Sequence, residues 1–253
     1  MKQAALAIAA VLGRLWGLLP ARLRDAFFTG MFVLESRSGD PSQGMRRLFA
    51  LSDRLHMVLN ERAVAQGQGE HPKHRLMRYH DFFVDRIPAG ARVLDVGCGY
   101  GAVARSIARR VPGVTVLGVD LDKPRLAQAM AADNPPNLRF LEADATRNLP
   151  PGPWDVVVLS NILEHIEHRP AFLRALLAVA KPSRILIRVP LFEREWEIPM
   201  RRELGVNYFS DNTHYIEHSL DEFARETQAA GLIAVERLTL WGEIWADCRP
   251  MTA

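Results

Sequence analysis

The sequence predicts an α/β fold built on a doubly wound, mostly parallel sheet with an N-terminal helical extension. Short runs of β-branched and aliphatic residues alternate, after about residue 90, with stretches whose apolar residues recur at helical spacing. Several of these runs end in a carboxylate or an amide. The run at 93–96 passes into a glycine-rich turn and then a helix, which is typical of a strand–turn–helix unit in a parallel sheet.

The first nineteen residues are apolar, but they are too interrupted to predict a membrane span. Apolar runs cover 4–12 and 15–19, with Arg14 between them. Lys2 and the first run imitate a secretory signal, yet no persuasive cleavage site follows. The segment predicts either a helix at a membrane surface, with Trp16 at headgroup level, or a helix packed on the protein's own body.

Two further helices are predicted ahead of the sheet from the spacing of their apolar residues. They cover 45–65 and 73–87. The glycine-containing stretch 67–72 between them is the best candidate linker. We therefore predict a helical extension at 1–72 and a main domain at 73–253.

The turn that follows the first strand has the sequence Gly97-Cys-Gly-Tyr-Gly101. Glycine is needed where the backbone approaches a ligand, because a Cβ would block the approach and such turns often require positive φ. A helix is predicted at once afterwards, over Ala102–Arg110. A glycine turn alone is weak support for a nucleotide-like ligand, so the acids that follow matter.

Two carboxylates end the next two predicted strands. Asp120 lies 19 residues after Gly101, close to the roughly 20-residue offset of an acid that binds ribose hydroxyls. The alternative for Asp120 is an exposed turn acid before the helix that begins at Lys123. Asp144 ends the third strand and is able to accept from an exocyclic amine. A fourth strand runs into Asn161.

A long irregular stretch follows the fifth predicted strand. A helix at 170–180 and a strand at 184–189 come first. The stretch 190–212 then shows no regular pattern and is rich in charged and aromatic residues. Structureless loops of this length are uncommon unless they work as lids or binding segments, so we predict a lid here.

The C-terminal part predicts a helix and two strands. Ser219 and Glu222 form a capping box, and Gly231 is the expected stop of the helix that the box begins. Strands are predicted at 232–240 and 243–248, around the turn between them.

The ordered set of motifs resembles the class I S-adenosylmethionine-dependent methyltransferases. The likeness runs from about Arg75 to the C-terminus, and its most specific parts are Leu94-Asp-Val-Gly-Cys-Gly99, Gly118-Val-Asp120, Ala143-Asp144 and Asn161-Ile-Leu-Glu-His165. The resemblance implies a Rossmann-like, seven-stranded sheet closed by a C-terminal antiparallel hairpin. It also implies S-adenosylmethionine as cofactor, bound by Asp95, Gly97, Cys98, Gly99, Gly101, Asp120, Leu121, Asp144, Ala145 and Asn161.

The resemblance further implies which part of the cofactor each of these residues contacts. The glycine loop would hold the methionine part, with Asp95 near its amino group. Asp120 would bind the ribose, and Leu121 beside it would pack on the adenine. Asp144 would contact the adenine amine.

Methyl transfer to a hydroxyl needs a base, and histidine suits that work near neutral pH. His214 and His165 are the candidates, with Glu164 beside them, and we prefer His214; either histidine could instead be structural. Some relatives bind a divalent ion through Glu-x-x-Glu-His after the fourth strand. Here the first position is Asn161, so we predict no metal, although His218 or His214 could complete a site.

The amino-acid composition limits the class of protein that this chain can be and the partners that it can bind. The chain has 253 residues, of which 48% are hydrophobic and 24% charged, which fits one soluble α/β domain with an extension. The net charge of +3 is too small and too scattered to predict nucleic-acid binding. Its excess lies in the first 90 residues, which suits an anionic membrane surface. Cys98 and Cys248 offer neither a disulfide framework nor metal-ligand spacing, so we expect a cytoplasmic setting.

We therefore expect methyl transfer to a small-molecule or glycan acceptor, most readily a hydroxyl of a sugar or a lipid-linked glycan. The location expected is the cytoplasm, with peripheral contact to the inner face of the membrane through residues 1–19. A nicotinamide-dependent oxidoreductase is disfavoured, because the loop is Gly-x-Gly-x-Gly and Asp95 lies just before it, next to Val96. A catalytically silent partner protein at the membrane is the third possibility, and the oligomeric state stays open.

Overall fold

The computed structural model describes residues 2–37, 39–68 and 71–251, with side chains from residue 8 onward. Met1 and the side chains of 2–7, which the signal-peptide and surface-helix interpretations use, lie outside the described residues, as do two positions of the predicted linker. Contacts divide the chain into a helical unit, 1–69 with 203–206, and a sheet unit, 70–202 with 207–253.

The helical unit consists of α1 (Lys2–Gly17), α2 (Ala21–Ser36) and α3 (Pro41–Gln66). The helix predicted at 45–65 begins one turn earlier than expected. Asp40 caps it by accepting from Gln43 N at 2.9 Å, and Pro41 occupies the first turn, where its missing N–H is no loss. The sequence pattern did not predict α2.

The sheet unit contains a seven-stranded sheet in the order β3-β2-β1-β4-β5-β7-β6, which confirms the predicted fold class. Its strands are β1 (Arg92–Val96), β2 (Thr115–Asp120), β3 (Leu138–Glu142), β4 (Val156–Ser160), β5 (Arg184–Pro190), β6 (Leu232–Leu240) and β7 (Glu243–Pro250). The first five pair in parallel, and β7 pairs antiparallel with both β5 and β6. Its helices are α4 (Lys73–Met77), α5 (Tyr79–Val84), α6 (Ala102–Arg110), α7 (Lys123–Ala131), α8 (Arg169–Ala180), α9 (Glu197–Glu203) and α10 (Leu220–Ala229).

The two faces of the sheet carry separate hydrophobic cores. Leu94 and Val96 of β1 point into the core that α8 and α10 cover. Val93 points to the other face, into the core that includes α5 and α6. Because successive side chains alternate across a strand, a strand covered on both sides must be apolar throughout. This explains the continuous aliphatic run of β4 and the aliphatic residues on either side of Asp95 in β1.

The single helix predicted at 73–87 is wrong. The chain breaks at Arg78, whose φ is 51°, into α4 and α5. Tyr79, Phe82 and Phe83 of α5 are buried, whereas Leu76 of α4 is 55% exposed. The apolar period therefore continues through a segment in which only the second half contributes buried residues.

The stretch 190–212 is more regular than the sequence predicted. A 3₁₀ turn covers Phe192–Arg194, and α9 follows. Residues 203–206 group with the helical unit and not with the sheet unit. A lid over the site stays a prediction for the remainder of this stretch.

The segment that leads into α10 is anchored by Glu226. Its carboxylate accepts from Arg169 Nε and Nη2 at 2.7 Å and pairs with His218 Nε2 at 3.0 Å. Burial opposes ionisation, but the hydrogen bonds from His218 and Arg169 outweigh it and lower the pKa of Glu226 to about 2. The anchor fixes the residues just before α10, which supply part of the site.

We expect Glu226→Gln to lower the free energy of unfolding by about 2 kcal/mol, because it weakens hydrogen bonds to a charged, largely buried acceptor. The matched control is Glu236→Gln, whose pair with Arg86 is more exposed and should be worth less than about 1 kcal/mol. Denaturant unfolding at neutral pH measures both. Since the pKa of Glu226 is depressed, its contribution is present above its ordinary value near 4.5 and is lost as the pH falls towards 2. Equal effects of the two substitutions would contradict the anchor.

Candidate functional site

The glycine turn after β1 lies at the carboxyl edge of the sheet, where the strand order reverses between β1 and β4. Ligands of open α/β sheets bind at this switch point. Gly97 N and Cys98 N both donate to Val119 O, at 2.7 and 3.0 Å, which ties the turn to the end of β2. Gly97 has φ of +68°, and a Cβ there would overlap Ile162 Cδ1, so only glycine fits.

Asp120 closes the turn from the neighbouring strand. Its Oδ2 accepts from Gly99 N at 2.7 Å, and its Oδ1 accepts from Asp122 N at 2.8 Å. Each carboxylate oxygen has further lone-pair capacity, which the two hydroxyls of a ribose could use. The next side chain, Leu121, is 69% exposed, so an apolar surface stands ready beside the carboxylate.

Asp95 is a buried acid at the end of the strand that leads into the turn. It is 1% exposed, and among the described residues its Oδ2 has no hydrogen-bond partner. Burial first, and then repulsion from Asp120, raise the pKa of Asp95 to about 7. A cationic group placed here would stabilise the carboxylate, so the residue fits the ammonium group of a methionine moiety.

The remaining implied cofactor residues line the same edge. Asp144 follows β3 and accepts from Thr146 N at 2.9 Å and Thr146 Oγ1 at 2.6 Å, bonds that lower the pKa of Asp144. Ala145 and Asn161 are half-buried, and Asn161 has a left-handed backbone with φ of 57°. Taken together, the open glycine turn, the ribose-competent acid and the unpartnered buried acid fit S-adenosylmethionine.

The thiol of Cys98 lies within the same turn. Burial raises the pKa of the Cys98 thiol well above its ordinary value, so the thiolate is not populated at neutral pH. Its Sγ stands close to where a Cβ on Gly118 would lie. The residue therefore contributes packing to the turn and no nucleophile.

A second group of side chains faces the turn after β4, centred on His214. His214 Nδ1 lies 3.0 Å from Glu217 Oε1, and Glu217 is fully buried. The same carboxylate accepts from Ser210 N at 2.6 Å and from Arg194 Nη1 at 2.6 Å. Despite burial, the hydrogen bonds from His214 and Ser210, with the charge of Arg194, lower the pKa of Glu217. An ionised carboxylate only accepts, so His214 carries its proton on Nδ1 and presents Nε2 as the acceptor.

His165 is oriented in the same way through a hydroxyl. Thr213 Oγ1 lies 2.6 Å from Asp211 Oδ1 and 2.9 Å from His165 Nδ1. Its single proton goes to the carboxylate, so the hydroxyl accepts from His165 Nδ1–H. Burial and the neighbouring His214 lower the pKa of His165. Its Nε2 is therefore the free acceptor as well.

Glu164 lies beside the two rings. It is buried, and burial raises the pKa of Glu164 to about 7. The rings of His165 and His214 meet edge to face with centroids 4.6 Å apart, and Tyr215 N donates to Glu164 O at 2.8 Å. Ligand atoms of Glu164, His165 and His214 all lie within 4.8 Å of one another. The structure thus brings the three predicted catalytic residues into one cluster.

Sequence reasoning missed the group that orients His214. The hydrogen bond of His214 is to Glu217, whereas Asp211 orients His165 through Thr213. Glu217 lies three residues after His214 in a segment without a helical pattern. No spacing rule distinguishes such an acid from a solvated one, and only its burial beside Arg194 reveals it.

Comparison with protein families agrees with this geometry. A family model described as "Methyltransferase domain" matches residues 68–237, which is more than half of the chain. The match includes the glycine turn, the acids after β2 and β3, and the cluster at Glu164, His165 and His214.

Two curated relatives are similar in sequence. The 2-methyl-6-phytyl-1,4-hydroquinone methyltransferase of Synechocystis is 30% identical over 161 residues, covering 59% of this chain and 49% of that protein. The ubiquinone biosynthesis O-methyltransferase of Bordetella parapertussis is 36% identical over 168 residues, covering 65% of this chain and 68% of that protein. The chain thus spans about half the length of the first of them.

Solved structures support the fold. A TehB-like SAM-dependent methyltransferase from Corynebacterium glutamicum superposes with a TM-score of 0.53 at 16% identity, covering 79% of this chain and 99% of that one. An S-adenosylmethionine-dependent methyltransferase from Mesorhizobium loti gives 0.53 at 15% identity, covering 70% and 97%. Identities this low establish the shared architecture alone.

The raised pKa of Asp95 predicts that cofactor binding depends on pH. We expect affinity to rise by up to about tenfold per pH unit below 7 and to level off above it, since a cationic ligand favours the ionised carboxyl. Binding at pH 6 should therefore release a proton. Calorimetry in two buffers of different ionisation enthalpy measures this release.

Two controls locate the proton on Asp95. Asp95→Asn should abolish the release while the protein stays folded. S-adenosylhomocysteine keeps the amino group and lacks the sulfonium charge, so the release should persist with it. Proton release that survives in Asp95→Asn, or that vanishes with S-adenosylhomocysteine, would contradict a pairing of Asp95 with the amino group.

Proposed function

We propose, because this chain belongs to the class I S-adenosylmethionine-dependent methyltransferases, that it methylates a hydroxyl oxygen of a small lipid-linked acceptor with His214 as general base. S-adenosylmethionine is the cofactor, and the nicotinamide-dependent alternative is set aside. The hydroxyl acceptor, its lipid linkage and the role of His214 are the proposal. The observation that carries it is the hydrogen bond from His214 to the buried carboxylate of Glu217.

In this reaction the protein mainly aligns the methyl donor with the acceptor and accepts one proton. The bound cofactor supplies a methyl group already activated on its sulfonium. The glycine turn, Asp95 and Asp120 would hold this cofactor at the ends of β1 and β2. The protein must also fix the acceptor oxygen in line with the methyl group, because such positioning lowers the barrier by several kcal/mol.

His214 is suited to take the acceptor proton. Glu217 holds the Nδ1–H, which leaves Nε2 of His214 as an acceptor. The negative charge of Glu217 would also stabilise the imidazolium that forms. The same division of labour between a histidine and a buried acid operates in hydrolase triads. His165 carries no such carboxylate directly, which is why it is the weaker candidate.

The acceptor side contains aromatic groups. Tyr208 and Phe209 stack with centroids 4.3 Å apart, and Tyr215, next to His214, is 57% exposed. Flat faces of this kind bind either a phenolic ring or the apolar face of a sugar. The names of the relatives refer to a hydroquinone and to ubiquinone biosynthesis. We therefore place a phenolic hydroxyl on a lipid-bearing ring first, and the lipid-linked glycan predicted from the sequence second.

A lipid-linked acceptor also supports a peripheral location at the inner face of the membrane. This location is part of the proposal. In the described part of the chain no helix is long and apolar enough to cross a bilayer.

An acceptor panel tests the substrate class. Turnover of radiolabelled cofactor would be compared for a catechol bearing a short prenyl chain, the same catechol without the chain, and an undecaprenyl-linked sugar. We expect methylation of the prenylated catechol above the unprenylated one. Methylation of the sugar alone would move the acceptor to the glycan class. Inactivity on all three, with intact cofactor binding, would remove the proposed acceptor and favour a silent partner protein.

Loss of the base predicts a specific kinetic pattern. We expect His214→Ala to lower kcat by about 10²–10⁴-fold, the usual range for removing a general base, with cofactor affinity nearly unchanged. The matched control is His168→Ala, because His168 is exposed and makes no capping hydrogen bond to α8. Near-normal turnover of His214→Ala would remove the role.

Glu217 provides the second arm of this test. Glu217→Gln keeps the size of the side chain but removes its charge, so kcat should fall with little change in KM. Cofactor affinity and melting temperature separate this effect from unfolding of the loop. A variant that folds, binds cofactor and turns over normally would show that Glu217 is structural.

A cation-assisted reaction is the second candidate, because Glu164, His165 and His214 have the spacing of a metal-ligand set. Both histidines donate their other ring nitrogen to an oxygen acceptor, as metal-bound histidines do. Because Asn161 stands where metal-binding relatives have the first glutamate of Glu-x-x-Glu-His, the sequence still predicts a reaction without metal. Activity that is lost with EDTA and returns with magnesium or zinc would replace the base mechanism by a metal mechanism.

A further inference from the structure

Helices α1 and α2 expose a large apolar surface. In α1, Ile8, Leu12 and Leu15 are 61%, 58% and 58% exposed, and their spacing places them on one stripe of the helix. In α2, Leu23, Phe27 and Leu34 share a stripe and are 60%, 54% and 68% exposed. Among the described residues α2 buries none. We call these two stripes, with the neighbouring Val11 and Met31, the hairpin surface.

Such a surface is unfavourable in water. Monomeric soluble proteins rarely expose contiguous apolar patches beyond a few hundred Å², and larger ones mark contacts with proteins or membranes. Each leucine buried from water would contribute about 1.5–3 kcal/mol, or about tenfold or more in affinity. We therefore expect the hairpin surface to be covered, by a membrane, by another molecule or by another part of this protein.

The charged residues around the hairpin surface indicate which kind of partner covers it. Residues 2–37 carry five basic side chains and two acidic ones. One of the two acids, Glu35, pairs with Arg47 of α3 at 3.1 Å. A basic margin around an apolar face complements an anionic lipid surface, where each arginine contributes about fivefold in affinity.

An aromatic cluster sits where the two helices meet. Trp16 contacts Phe27 and Phe28 edge to face, with centroids 5.6 and 5.8 Å away. Tryptophan concentrates at the level of lipid headgroups, because its ring is apolar and its N–H is polar. The cluster therefore suits the boundary between headgroups and acyl chains.

The positions of the arginines exclude insertion of the hairpin tip. Arg14 precedes the turn at 18–20 by one helical turn, and Arg22 and Arg24 follow it directly. Pushing the tip into hydrocarbon would bury three guanidinium groups, which is costly. Each helix has 16 residues, or about 24 Å, which is shorter than a spanning helix needs. Both helices therefore suit an orientation parallel to the membrane plane.

We infer that α1 and α2 dock in the plane of an anionic lipid bilayer through the hairpin surface. The inference rests on the helical unit alone, so its failure would leave the proposed reaction untouched. A second copy of the chain and the protein's own sheet unit are the other conceivable occupants. The experiment below distinguishes them.

Vesicle flotation of the full-length protein tests the inference. Vesicles of phosphatidylcholine alone provide a neutral surface. Vesicles in which about a third of the lipid is phosphatidylglycerol provide an anionic surface. We expect wild-type protein to float with the anionic vesicles. Leu12→Glu/Leu15→Glu should weaken binding by at least about tenfold, and Arg14→Gln/Arg22→Gln by about twenty- to thirtyfold on anionic vesicles only. Ile233→Glu/Val235→Glu, on the exposed strand β6, adds the same charges and should bind normally.

Every other outcome overturns the inference. Wild-type protein that floats with neither vesicle has no lipid-binding surface. A dimer in solution that dissociates on Leu12→Glu/Leu15→Glu identifies a second copy as the occupant. A marked fall in melting temperature of the same variant, with weakened cofactor binding, shows that the helices pack on the protein's own body. Unchanged flotation of that variant places lipid binding elsewhere.

Discussion

The hydrogen bond between the Gly99 amide and the Asp120 carboxylate is the constraint on which the cofactor side of the site depends. It joins the turn after β1 to the end of β2 at 2.7 Å, and the amides of Gly97 and Cys98 reinforce it through Val119 O. The turn can follow this path only because Gly97 has no Cβ to overlap Ile162. A single acid thus shapes the loop and still retains acceptor capacity for a ribose.

A buried carboxylate, that of Glu217, organises the proposed acceptor side. Glu217 receives bonds from a backbone amide, an arginine and His214, so the loop at 210–217 is folded around its charge. A buried charge that lost these partners would be strongly destabilising, which is why the partners are so many. In both halves of the site, a carboxylate is therefore held by the segment that it orders.

The two halves differed in how well the sequence predicted them. The cofactor side is built by backbone groups and glycines at fixed offsets from strands, and those offsets are visible in the sequence. The acceptor side depends on contacts between residues far apart in the chain, such as Thr213 with His165 and Arg194 with Glu217. Periodicity also failed at Arg78, because α4 and α5 share an apolar period while only α5 is buried. The order of strands and the capping box of α10, by contrast, followed from local patterns.

The cluster around His214 also explains why two mechanisms compete for one arrangement. Burial raises the pKa of Glu164 to about 7, so near neutral pH its carboxyl is partly protonated and does not firmly pair with an imidazolium. A base mechanism suits a partly protonated Glu164, because its carboxyl then leaves His214 free to take a proton from the acceptor. A cation would reverse it, since a positive charge among the three ligands would ionise Glu164 and would occupy a ring nitrogen of each histidine. The two mechanisms therefore differ in the charge that they place on Glu164, and the ionisation of that one carboxyl distinguishes them.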